Sequence, residues 1–118
     1  MKYMLLIYGD ENALNADEMR QCYVESTQVA NDLHAEGKFL DTGALHHSSK
    51  TASVRVRDGQ RLVTDGPFTE THEQLGGFFL VDAKDQNEAI ELAGRIPGAR
   101  RGIVEVRPVV ELSGLPEV

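Results

Sequence analysis

The sequence predicts a single α+β domain built on an antiparallel sheet, and three observations carry that expectation. The elements run strand, helix, strand, hairpin, strand, helix, strand. Two helices each open on an Asn or Asp followed three positions later by Glu, the pattern of a capping box. Two strands are apolar at both alternating sets of positions, while only two amphipathic helices are available to cover them.

The first strand spans Lys2 to Tyr8, with Tyr3, Leu5 and Ile7 on one side and Met4, Leu6 and Tyr8 on the other. Gly9-Asp10 ends it, and Asn15 with Glu18 starts a helix running to about Glu36. Met19, Cys22, Tyr23, Ser26, Val29, Ala30 and Leu33 recur at three- and four-residue spacing and form its apolar stripe, and Gly37 is the natural stop. A second strand is expected within Lys38 to Leu45, followed by a polar loop from His46 to Thr51.

Ser53 to Arg57 alternates cleanly, Asp58-Gly59 supplies the two positive-φ residues of a tight turn, and Gln60 to Thr64 returns. Asp65-Gly66-Pro67-Phe68 is another turn signal, and Gly76-Gly77 leads into a strand at Phe78 to Asp82. Asp85 and Glu88 open the second helix, with Ala89, Ile90, Ala93 and Ile96 expected on its inner face and Pro97-Gly98 closing it. The last strand is read as Gly102 to Leu112, where Ile103, Glu105, Arg107 and Val109 alternate with Val104, Val106, Pro108 and Val110.

This order is a ferredoxin-like split β-α-β unit, duplicated around an antiparallel sheet, with two helices on one face and an inserted β-hairpin. Those helices cover one face of the sheet. The apolar residues of the opposite face need a second cover, and pairing with another copy of the chain is the simplest one, so a homodimer is expected.

At 118 residues the chain is long enough for one core and too short for two, so residues 1–118 are read as one domain. The net charge is −7, and the twelve Lys and Arg residues are scattered apart from Arg100-Arg101, so direct nucleic-acid binding is not expected. Cys22 is the only cysteine, which rules out an internal disulfide and a thiolate cluster within one chain. With no export signal or membrane-length apolar run to be read, a reducing cytoplasm is the expected location.

Few residues carry candidate chemistry. Asp65 is either an Asx-type cap on the Gly66-Pro67 turn or a carboxylate at a pocket mouth acting as a general base. His72, flanked by Glu70 and Glu73, is either part of a solvated loop or a proton-passing imidazole. Gly76-Gly77 permits close approach of a ligand or forms a bulge. Glu105 and Arg107, two apart on one strand face, form a structural ion pair at a dimer contact or orient an anionic or carbonyl-bearing substrate. His46 and His47 lack a third ligand at useful spacing, so no metal is expected, and no cofactor is implied. Cys22 reads as a small core residue.

The segment from Val63 to Asp82, containing Asp65-Gly66-Pro67-Phe68, resembles the YCII-related family, in the branch named for that tetrad. Lys2 to Tyr8, Val54 to Gly59, Arg95-Ile-Pro-Gly98 and Val104 to Pro108 extend the likeness over essentially the whole chain. The resemblance implies a dimeric α+β barrel. It also implies two classes of function: a small-molecule binder or enzyme, as in the isomerases, monooxygenases and dismutases of the related barrel superfamily, or an accessory module linked to sigma factors. On the first, the pocket is expected between the sheet and the Asp65–Gly77 loop, using Asp65, His72, Glu105 and Arg107. The His and Asp pair proposed for other members has no matching motif in this sequence.

Overall fold

The computed structural model describes residues 1–117. Strand β1 is Lys2–Gly9, helix α1 Ala16–Ala35, β2 Phe39–Ala44, β3 Ala52–Arg57, β4 Gln60–Asp65, β5 Gln74–Asp82, α2 Gln86–Gly94, α3 Gly98–Arg101 and β6 Ile103–Pro108, with a short 3-10 turn at Ser48–Lys50. Four strands form one antiparallel sheet in the order β2-β5-β1-β6, and β3 pairs with β4 as a separate two-stranded ribbon. This is the ferredoxin-like order with an inserted hairpin.

The two strands that are apolar on both sides, β1 and β5, take the two central positions. That follows from burial, because a central strand is flanked by sheet and its two faces must be covered by other elements. β2, with Asp41 and Thr42, and β6, with Glu105, Arg107 and Pro108, lie at the edges, where polar residues and a missing N–H are tolerated.

One sheet face carries the core. Tyr3, Leu5, Phe79 and Val81 pack there with Leu33 of α1, Ala89, Leu92 and Ala93 of α2, and Ile96. The first helix start forms the expected capping box, and the second forms only half of one. Asn15 accepts from the Glu18 amide at 2.8 Å while Glu18 accepts from the Asn15 amide at 3.1 Å. Asp85 accepts from the Glu88 amide at 2.9 Å, but Glu88 reaches the Lys84 amide instead of the cap residue's own. A fork of two hydrogen bonds, 3.1 and 2.7 Å, joins Arg95 beyond α2 to Glu36 at the end of α1 and fixes the two helix ends together.

Three details differ from expectation. On α2 the inward residue is Leu92, and Ile90 is exposed, because positions 89, 92, 93 and 96 keep the three- and four-residue spacing of a helix face whereas 90 lies a quarter-turn away. β5 begins at Gln74, four residues before Phe78, and contains a bulge: Ile7 pairs with Gly77 and Tyr8 with Leu75, leaving Gly76 as the extra residue. Its carbonyl accepts from the Leu45 amide at 2.9 Å. β6 ends at Pro108 because Tyr3, its partner there, is next to the start of β1, and only one further bond, Val109 N–H to Lys2 at 2.9 Å, follows.

The hairpin turn is as the sequence predicts, with φ of 51° at Asp58 and 73° at Gly59. Gly77 is required by space. A Cβ there would lie 2.7 Å from the carbonyl oxygen of Gly43 on β2.

Candidate functional site

Helix α1 covers the sheet with only part of its length. Leu33 is fully buried, and Val29 and Ala30 pack on the core. Further toward the N-terminus the same stripe continues as Ser26, Tyr23, Cys22 and Met19, but these residues line a cavity of about 780 Å³ between α1 and the sheet. Ile7, Phe79 and Ile96 contribute apolar wall from the core side, and Gly76 and Gly77 contribute backbone. The double glycine forms the bulge that was one of its two expected readings, and that bulge sits in the cavity wall. The volume is that of a small-molecule site, and apolar walls with a few polar groups are its usual lining.

Glu18, Ser26, Thr27, Thr42 and Arg101 add polar lining in places, and several polar groups gather where the β1–α1 loop meets the turn after β2. Glu11, Asp10, His46 and His47 line the cavity there, and Gln74 accepts from the Glu11 amide at 3.1 Å. The Glu11 carboxylate accepts from the Ser48 amide at 2.9 Å and from the Ser48 hydroxyl, and His47 Nε2 stands 3.4 Å from it. His47 Nδ1 accepts from the Ser49 amide at 3.1 Å. That bond assigns the proton of the neutral ring to Nε2, which lies 3.1 Å from Asn12 Oδ1. Burial pushes the Glu11 carboxyl up, but the Ser48 hydroxyl and amide and the neighbouring His47 outweigh it, so the group is held below its ordinary value. The result is a persistent carboxylate beside an oriented imidazole at the edge of an apolar cavity.

The residues singled out from the sequence stand elsewhere. Asp65 is exposed at the end of β4, and the turn after it is held by Gly66 N–H to Thr51 O at 2.7 Å and Ser53 Oγ to Gly66 O at 2.8 Å. His72 is exposed in the loop before β5. Glu105 and Arg107 share the sheet face opposite the helices, across from Leu6 and Met4, with Arg107 Nη1 3.8 Å from Glu105 Oε1 and both side chains at least half exposed. The cavity lining contains none of the four.

Conversely, Glu11 and Ser48 gave no signal in the sequence, being 37 positions apart with no motif between them. His47 was visible only as half of a His-His pair. Cys22 is half-buried and faces the cavity, not a filled core. Among the described residues no group of three His, Cys, Asp or Glu is placed to hold a metal, and no helix is long and apolar enough to cross a membrane.

Residues 1–113 match the YCII-related domain. An uncharacterised protein of Rhizobium meliloti (strain 1021) is 35% identical over 118 residues, covering 92% of each chain. The chain belongs to the YCII-related domain family.

Proposed function

We propose that this YCII-related protein binds a small amphipathic molecule in the cavity between α1 and the sheet, its polar end at His47 and its apolar part against Met19, Cys22 and Tyr23. The observation that carries the reading is a largely apolar wall that meets a polar corner, where an imidazole is oriented by Ser49 and faced by the Glu11 carboxylate, with Glu18, Thr42 and Arg101 as further polar lining. A paired carboxylate and imidazole can hold or pass a proton at a bound carbonyl, hydroxyl or carboxyl group. Enzymatic use of the site would then be proton transfer at the ligand's polar end.

The Asp65-Gly66-Pro67-Phe68 tetrad supports membership of the family branch named for it. We further propose a homodimer in which a second copy covers the open sheet face. Met4, Leu6, Phe78 and Leu80 lie on that face with Glu105 and Arg107, and they remain only half-buried in the single chain.

A ligand-detected NMR screen of small amphipathic carboxylates, phenols and carbonyl compounds tests the cavity. Binding should be lost in Cys22→Trp, which fills the space, and weakened about tenfold in His47→Ala by loss of one oriented polar contact. Asp65→Asn and Arg107→Ala distinguish a helix-side cavity from a site assembled between copies. Hits that bind Cys22→Trp as well as the parent protein would remove this assignment.

A further inference from the structure

The β3–β4 hairpin stands apart from the rest of the chain. Among the described residues its strands pair only with each other, and its base is closed by Thr51, Ser53 and Gly66, which belong to the hairpin or its immediate ends. Cross-strand pairing of Val54 with Val63 and of Val56 with Arg61 sets Val54, Val56 and Val63 on one face. These three are 59%, 60% and 57% exposed, and Phe68, just beyond the hairpin, is 83% exposed. A two-stranded ribbon alone in water is at best marginally stable, and a bare apolar row on it invites association.

The shape of the chain points the same way. Its radius of gyration is 16.0 Å, against about 13.5 Å for a compact chain of this length. A projecting arm contributes to such an excess, together with the extended residues after β6.

We propose that the hairpin is an arm that docks through its Val54–Val56–Val63 face onto a second copy of this chain, with Phe68 beside the contact. Charge selects that partner. The arm from Ala52 to Asp65 carries three arginines and two aspartates, a net +1, in a chain whose total is −7, so the remainder of each copy carries −8. Arg55, Arg57 and Arg61 have no carboxylate partner among the described residues. A basic arm approaching an acidic body is favoured, and under two-fold symmetry each copy gives and receives one arm. The inference is independent of the cavity and goes beyond sheet-to-sheet pairing, because it assigns the inserted hairpin a contact of its own.

Sedimentation velocity on the full chain, over nanomolar to micromolar concentration, compares the parent protein with Val54→Asp/Val63→Asp. The dimer dissociation constant should rise about 100-fold or more, as for loss of a central apolar contact, and should also rise with salt in the parent protein. A half-isotope-labelled sample of the parent protein gives the second measurement, independent of how the variant folds: filtered NOEs should run from the methyl groups of Val54, Val56 and Val63 to the unlabelled copy. A dimer without those NOEs, and with an unchanged constant in the variant, would overturn the arm while leaving sheet-face pairing intact. A parent protein that stays monomeric would overturn both.

Discussion

Ser48 donates twice to Glu11, once from its amide at 2.9 Å and once from its hydroxyl, and so ties the loop after β1 to the turn after β2. Neither segment has regular structure of its own beyond one 3-10 turn, so the corner of the cavity depends on this link. The carboxylate it holds is the charged group that faces His47 in the candidate site.

Glu11→Gln should lower stability by about 1–2 kcal/mol at pH 7, since hydrogen bonds to a charged acceptor are replaced by weaker ones. The folded-state value of Glu11 lies below its ordinary 4.5, so its contribution is complete above about that pH and is lost as pH falls through the folded value. Urea unfolding of both proteins at several pH values checks this. A stability gap that stays constant down to pH 3 would contradict the assigned direction.

Leu33 is the fully buried residue of α1. Leu33→Ala should cost about 2–5 kcal/mol, because the helix is held to the sheet near that end and a neighbouring cavity gives the site little to collapse onto. Ile90→Ala, on the exposed side of α2, should change stability by no more than about 0.5 kcal/mol. Equal losses in the two variants would mean that the inward faces of these helices are wrongly assigned.

The two adjacent glycines of β5 should respond differently to a methyl group. At Gly77 a Cβ meets the Gly43 carbonyl oxygen at 2.7 Å, so Gly77→Ala must push β2 and β5 apart and should cost about 1–3 kcal/mol. At Gly76 the nearest atom is 3.9 Å away, and alanine should be accommodated within about 0.5 kcal/mol. Thermal unfolding of the pair measures the contrast, which would vanish if the close contact at Gly77 were absent.

Cys22, the only cysteine, reports on the cavity directly. N-ethylmaleimide should modify it, and a ligand bound in the cavity should slow the reaction in proportion to the occupied fraction. Mass spectrometry of the time course gives the rate. No protection at saturating ligand would mean that the molecule binds elsewhere.

Much of the fold can be read along the chain because its signals are local. Asn15 with Glu18, Asp58 with Gly59, and the alternation in Ser53–Arg57 each specify a turn or a helix start through groups a few residues apart. The apolar character of both sides of Lys2–Tyr8 and Phe78–Asp82 likewise predicts strands that need cover on both faces, and the structure makes them the two central ones. Ile90 and Leu92 are both apolar, and only the spacing around the helix separates them: Leu92 keeps the period of Ala89, Ala93 and Ile96, and Ile90 does not.

The site was legible only in part. Asp65, Glu105 and Arg107 draw notice because charge interrupts an otherwise apolar or turn-forming pattern, yet the structure sets them on the hairpin and the open sheet face. Cys22, Met19 and Tyr23 look like ordinary core positions, because periodicity says which way a helix face turns and not how far the opposing surface lies.

The sequence by itself determined the principal strands and the two longer helices, their order, the first helix cap and which strands need cover on both faces, since these follow from hydrogen-bonding groups and apolar periodicity within short stretches; helix α3 was not among them. Only the tertiary structure decided that the first half of α1 stands off the sheet, that Glu11 meets Ser48 and His47, and that the hairpin projects on its own. Those relations depend on the distances between segments remote in the chain, and such distances are set by the summed packing of the whole domain, with no short run of residues encoding any one of them.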